Sequence, residues 1–187
     1  ILAETDRLSK LINNILDFSK IESNKKTYQM VQTDMRDLVR KALQIYHYHL
    51  QKNNFDLNVD IEDKSFIIQA DPEAVTQAFV NLIDNAIKYS NSSQRIDVTL
   101  HQKEEKIVLS VSDKGIGIPE SEQDKIFEKF YRVGSSIVHN TKGSGLGLSL
   151  VKHIMEVHNG EIKLSSEPGE GSTFSLVFPV NINQKEE

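Results

Sequence analysis

The chain contains no cysteine. That excludes a disulfide scaffold, a thiolate zinc site and a thiol nucleophile together. It has no run of 18 or more apolar residues, so no segment reads as a membrane-spanning helix. It also lacks a basic block. Lys and Arg are dispersed and the net charge is −5, which counts against nucleic acid as the main partner. Internal repeats and low-complexity tracts are missing too. Glycine is scarce, nine in 187 residues, yet three stand at alternate positions in NTKGSGLGLSL (140–150), just ahead of a helical pattern. Glycine gives up backbone entropy there, so the position should need something that a side chain would obstruct.

The length fits one domain with a real core plus an appendage. Residues 1–22 place Leu8, Leu11, Ile12, Ile15, Leu16 and Ile21 near a 3.5-residue repeat, as in an amphipathic helix that needs partners. The first residue is Ile and the pattern is already running, so the expectation is a fragment of something longer. The reading divides the chain into 1–24, a helix and linker; 25–182, the main domain; and 183–187, a frayed tail.

Within the main domain the patterns predict a strand at 27–35, a helix at 34–52 and strands at 55–61 and 65–70. A helix then runs to Ser90, with Asp71 as N-cap and Pro72 at its first position. Residues 95–103 and 106–114 read as a hairpin, followed by the turn DKGIGIP, a short helix and a loop over 131–144. A helix at 146–158 stops at Asn159-Gly160, and a last hairpin spans 161–167 and 172–180 around Pro168-Gly169. The order implies an α+β fold: a two-layer α/β sandwich, with a mixed, mostly antiparallel sheet and helices on one face.

Three clusters carry chemistry. In NLIDNAIKYS, Asn81, Asn85 and Lys88 share one helix face at i, i+4 and i+7. A carboxamide oxygen suits Mg²⁺ and Lys is a point charge for phosphate, although a solvated face has the same composition. In DKGIGIP, Asp113 ends a strand ahead of Gly115 and Gly117. A carboxylate there accepts a hydrogen bond from the exocyclic amine of adenine and repels the carbonyl of guanine; an ordinary strand-end turn also uses Asp and Gly. In GSGLGL, a helix start offers bare N–H groups and the positive end of its dipole to an anion, and a flexible linker is the alternative. The glycine spacing matches neither a dinucleotide fingerprint nor a P-loop.

Taken in order, the motifs resemble the catalytic, ATP-binding domain of bacterial-type sensor histidine kinases. NLIDNAIKYS is similar to that family's N box and DKGIGIP to its first glycine box. KIFEKFYR (125–132) is similar to its F box, GSGLGLSL to its second glycine box and GEGSTFSLVFP to its closing strands. The likeness covers roughly residues 30–180 and implies the Bergerat-type ATP-binding fold. LSKLINNILDFSKIE resembles the second helix of the preceding dimerisation domain. None of the six histidines is followed by an acid, so the phosphorylated histidine of that family is not expected in this chain.

The resemblance implies ATP and Mg²⁺ as ligands and assigns roles. Asn85 would hold the metal, with Asn81 assisting one turn earlier and Lys88 neutralising phosphate. Tyr89 would line the pocket, Asp113 would bind the adenine amine, and Gly115 and Gly117 would permit close approach, with Ile118 near the base and Thr173 supporting that contact. Gly143, Ser144, Gly145, Leu146 and Gly147 would form the phosphate cradle, and Arg132 would balance charge at the terminal phosphate. Phe127 and Phe130 would dock a lid formed by 133–142.

Related ATPases carry Glu where this chain has Asn81, which cannot act as a general base. Hydrolysis is therefore disfavoured, whereas a neutral imidazole is already nucleophilic. The implied activity is phosphoryl transfer from ATP to a histidine on a dimerisation domain absent from this chain. The implied parent is a homodimer that passes the group on to a response regulator receiver domain. The expected location is cytoplasmic, whether or not that parent is anchored in a membrane. A nucleotide-driven ATPase clamp and a noncatalytic dimerisation and ATP-sensing module are the competing readings.

Overall fold

The computed structural model describes residues 25–90, 93–133 and 144–180, together with Ile12, Ile15, Leu16, residues 19–21 and Ser23. The expected helix 1–22 and tail 183–187 thus lie largely or wholly outside the described residues, as do Gly143 and all of the expected lid except Val133.

The chain opens with strand β1 (Val31–Asp34), which runs directly into helix α1 (Met35–Lys52). Asp34 makes that abrupt change workable. Its carboxylate accepts the Arg36 N–H at 2.9 Å as an N-cap, and the Phe66 N–H at 3.2 Å. Strand β2 (Asp56–Ile61) and strand β3 (Ile67–Ala70) follow. β1 and β3 pair antiparallel as a separate two-stranded sheet, which the sequence patterns did not distinguish from the main one.

Helix α2 (Pro72–Tyr89) starts as predicted: Asp71 accepts the N–H groups of Glu73 and Ala74, both at 3.0 Å, with Pro72 in the first turn. Burial of Asp71 raises its pKa, but the N–H groups of Ala74, Gln29 and Glu73 together hold it below the ordinary value. α2 buries Ala74, Val75, Ala78, Phe79, Leu82, Ile83 and Ala86, one broad apolar stripe at helical spacing.

Strands β4 (Arg95–Lys103) and β5 (Lys106–Asp113) form the predicted hairpin. A short helix, α3 (Glu120–Gln123), and a 3₁₀ turn (Lys125–Phe127) come next. Helix α4 (Gly147–Val157) is followed by β6 (Glu161–Glu167) and β7 (Gly171–Pro179). At the end of α4 it is Asn159, with φ of 52°, that takes the left-handed position. Gly160 is needed for space, because a Cβ there would stand 2.8 Å from Val177 O.

The main sheet has the order β2-β4-β5-β7-β6, parallel only between β2 and β4. Alternation decides its two faces. Ile96, Val98, Leu100, Ile107, Leu109, Val111, Phe174, Leu176 and Phe178 are buried in one core with α2 and α4. The other face carries hydroxyl pairs, Ser110 with Ser175 at 2.8 Å and Ser112 with Thr173 at 2.7 Å. The expected sandwich, with helices on one face, is the observed one.

His158 locks the two main helices together at one end. Its Nε2 accepts the Asp71 N–H at 2.9 Å, while its Nδ1 lies 2.7 Å from Ile154 O. Both contacts are satisfied by the neutral tautomer with the proton on Nδ1.

Candidate functional site

Three backbone segments meet where β5 ends. Asp113 is buried, 8% exposed, and its Oδ1 accepts the Gly115 N–H at 2.8 Å. Burial pushes its carboxyl above the ordinary Asp value, more strongly than the Gly115 and Ser172 N–H groups and the Lys114 charge pull it down. The last turn of α2 is stitched to this turn. Ile116 N–H donates to Tyr89 O at 3.2 Å, and Ser90 bridges Gly115. On the other side Gly169 N–H donates to Ile116 O at 2.8 Å.

These clamps explain the glycines differently from the expectation of nucleotide approach. A Cβ on Gly115 would stand 2.2 Å from Tyr89 O, and one on Gly117, whose φ is +67°, 1.9 Å from Glu167 O. The close approach that excludes a side chain is made by the protein's own backbone. Ile118, half-buried, follows with its N–H on Ser166 Oγ at 2.8 Å.

The polar face of α2 leads from this turn towards α4. Lys88 Nζ donates to Tyr89 Oη at 2.8 Å and lies 4.5 Å from that ring's centroid. Asn85 is half-buried one helical turn from Asn81. Asn81 Nδ2 donates to Gln77 O at 2.9 Å, and its Oδ1 lies 3.1 Å from where a Gly147 Cβ would stand. Asp84, between them in sequence, faces α1 instead and accepts the Tyr46 hydroxyl at 3.0 Å.

The start of α4 is built on Leu146, whose side chain is fully buried and anchors the glycine segment in the core. Asp34 and Asp71 cap the other two long helices, whereas among the described residues no side chain caps this one. The N–H groups of Gly147, Leu148 and Ser149 have no acceptor within the helix by geometry. An anion fits that opening, with the helix dipole behind it. Leu146 N–H is partly engaged by Ser144 Oγ at 3.3 Å. Gly145, at φ +71°, accepts the Phe130 N–H at 3.0 Å.

In the F-box segment Ile126 is the buried anchor, Phe127 packs against the core, and Phe130 is 70% exposed. Arg132 lies exposed at the edge of the described segment. Among the described residues no three His, Asp or Glu side chains cluster as metal ligands. Asn85 and Asn81 are of the right type for Mg²⁺.

Thr173 is a correction. It pairs with Ser112, and the two hydroxyls meet on the sheet face opposite the helices. Alternation puts Asp113 on the other face, where its register partner is Ser172, also buried. Ser172, not Thr173, stands beside the carboxylate. Its signal was present in the sequence: 172 shares parity with the buried Phe174, Leu176 and Phe178.

A cavity of about 160 Å³, lined in part by Met30, Ile68, Val157 and Phe178, lies towards the other end of β7 and takes no part in this cluster. No helix among the described residues is long and apolar enough to cross a membrane.

An acid-bearing turn is stitched to the end of α2, and the amide-bearing face of that helix reaches the start of α4. Residues 70–182 match the family described as "Histidine kinase-, DNA gyrase B-, and HSP90-like ATPase", and the chain belongs to it. The circadian input-output histidine kinase CikA of Synechococcus elongatus is 34% identical over 93% of the chain. The sensor protein kinase WalK of Staphylococcus aureus is 32% identical over 96%. The chain spans 23% and 43% of those two proteins, under half of each. Among solved structures, the nucleotide-free catalytic domain of histidine kinase ThkA superposes with a TM-score of 0.70 at 26% identity, covering 81% of this chain and 96% of that one. The Acinetobacter baumannii histidine kinase AdeS, at 24% identity and a TM-score of 0.75, covers 96% of this chain and 82% of its own and has the same fold.

Proposed function

We propose that the chain is the ATP-binding kinase domain of a two-component sensor histidine kinase. It would transfer the γ-phosphoryl group of ATP to a histidine on a dimerisation domain. The observation that carries this reading is the placement of Asp113 and the uncapped start of α4 around one polar face of α2.

In this reading Asp113 accepts the adenine amine and Ile118 borders the base. Tyr89 lines the pocket at the end of α2, Lys88 neutralises phosphate charge, and Arg132 balances the terminal charge. Ser144, Gly145, Leu146 and Gly147 line the phosphate side, with the amides of the α4 start doing the binding. Gly143 and the lid at 133–142 belong to the same proposal. Bound Mg²⁺ would neutralise phosphate charge as the leaving oxygen departs. Asn85, assisted by Asn81, is the residue to hold it. The nucleophile is an imidazole nitrogen, which attacks phosphorus as the bond to the ADP oxygen breaks, so positioning and electrostatics carry the rate.

The hydrolytic clamp is the weaker reading. Its general base would stand at Asn81, whose amide donates to Gln77 O and cannot take a proton. The whole-protein proposals follow from the leading one: residues 1–24 as the end of a dimerisation helix, 25–182 as the catalytic domain, a homodimeric parent, a receiver domain as eventual acceptor, and a cytoplasmic location. The fold is also that of ThkA in a structure of that kinase in complex with the response regulator protein TrrA.

The test is titration with Mg-ATP against Mg-GTP, then incubation with γ-labelled ATP, alone and with the histidine-bearing dimerisation domain of the same kinase. Label should appear on the added domain and not on this chain. Self-labelling on histidine, or no label on either, contradicts the proposal.

A further inference from the structure

One hydroxyl on β6 ties together three parts of the base end of the site. Ser166 Oγ lies 2.8 Å from the Ile118 N–H, 2.9 Å from Gly171 O and 2.9 Å from Ser172 Oγ. Gln123 closes the same knot from α3, its Nε2 donating to Ile118 O and to Ser166 O, both at 3.0 Å. Gly171 has no room for a side chain, since a Cβ there would stand 2.0 Å from Asp113 O.

The directions of these bonds follow from counting hydrogens. A serine hydroxyl has one hydrogen and accepts through its lone pairs. Gly171 O can only accept and Ile118 N–H can only donate. All three contacts are satisfied when the Ser166 hydrogen goes to Gly171 O. Ser172 must then donate to Ser166 rather than the reverse. Its hydrogen is committed, and only lone pairs remain on its oxygen, next to the carboxyl of its register partner Asp113.

We infer that Ser166 is a positioning residue for base selection: by fixing the hydrogen of Ser172, it makes the base end of the site present acceptors only. An acceptor-only edge suits the exocyclic amine of adenine and rejects the carbonyl of guanine. Without Ser166, the Ser172 hydroxyl is free to turn and donate to a carbonyl. The 116–118 backbone also loses one tether. This inference rests on the placement of the base at Asp113 proposed above.

The test uses the full chain, with Mg-ATP and Mg-GTP titrated against wild type, Ser166→Ala, Ser166→Thr, the double variant Ser166→Ala/Ser172→Ala, and Asp113→Asn. A thermal melt of each gives the folded fraction. Ser166→Ala should weaken ATP binding about 3- to 10-fold, the range of one or two lost hydrogen bonds, while GTP binding holds or tightens. Ser166→Thr should restore the wild-type ratio. The double variant should bind both nucleotides weakly yet regain discrimination over Ser166→Ala, a response that general loosening does not give. An unchanged ATP-to-GTP ratio in Ser166→Ala, with Asp113→Asn still losing ATP, overturns the inference and leaves the base site standing. Lack of ATP preference in wild type overturns both.

Discussion

Asn81 Oδ1 lies 3.1 Å from the position that a Cβ on Gly147 would take, so the polar face of α2 and the start of α4 meet across a residue with no side chain. In Gly147→Ala the methyl must push aside an amide already fixed to Gln77 O. Alanine is no worse than glycine in a helix, so thermal stability should stay within about 1 kcal/mol of wild type. Mg-ATP affinity should fall about tenfold by calorimetry. Unchanged affinity would show that this junction does not border the phosphates.

Asp113→Asn replaces an acceptor-only group with one that also donates. Loss of a charged hydrogen bond corresponds to about 10- to 100-fold weaker ATP binding. The nucleotide-free protein should respond in the opposite direction. Because the folded pKa of Asp113 is raised, its contribution to stability is full below the ordinary value of 3.8 and is lost as pH rises through the folded value. At neutral pH the variant should therefore melt at or above wild type, with that advantage vanishing in acid. ATP binding by wild type should weaken as pH falls through the same raised pKa. A variant that melts below wild type at neutral pH while binding ATP normally contradicts both halves.

Much of this was legible in the sequence, for reasons that particular residues make plain. Asp71-Pro72 fixes the start of α2 because a carboxylate cap and a missing N–H are local properties. The alternation of β5 and β7 gave the strands. It also held the information that Ser172, not Thr173, faces Asp113, but the motif likeness led one residue astray. The reasons for Gly115 and Gly117 were hidden, since Tyr89 O and Glu167 O come from distant parts of the chain. So was the separation of β1 and β3 from the main sheet, which is a pairing between segments distant in the chain.

Asn85→Ala removes the amide oxygen proposed to hold the metal. Affinity for ATP with Mg²⁺ should drop about tenfold or more, and affinity for ATP in chelator should change far less. Equal losses in the two titrations would remove Asn85 from the metal role.

Asp71→Ala removes a cap that also holds Gln29 N–H at 2.8 Å. The loss should be about 1–2 kcal/mol at neutral pH from the denaturant midpoint. The pKa of Asp71 is depressed on folding, so its contribution is present above the ordinary value of 3.8 and disappears as pH falls through the lower folded value. The gap between variant and wild type should close over that interval. A constant gap would assign the loss to packing alone.

The most direct measurement is competitive calorimetry of the wild-type chain with Mg-ATP and Mg-GTP at neutral pH. An adenine base held at Asp113, with its phosphates at the α4 start, predicts saturable 1:1 binding of ATP and at least tenfold weaker binding of GTP. Equal affinities, or heat from neither nucleotide, would contradict it.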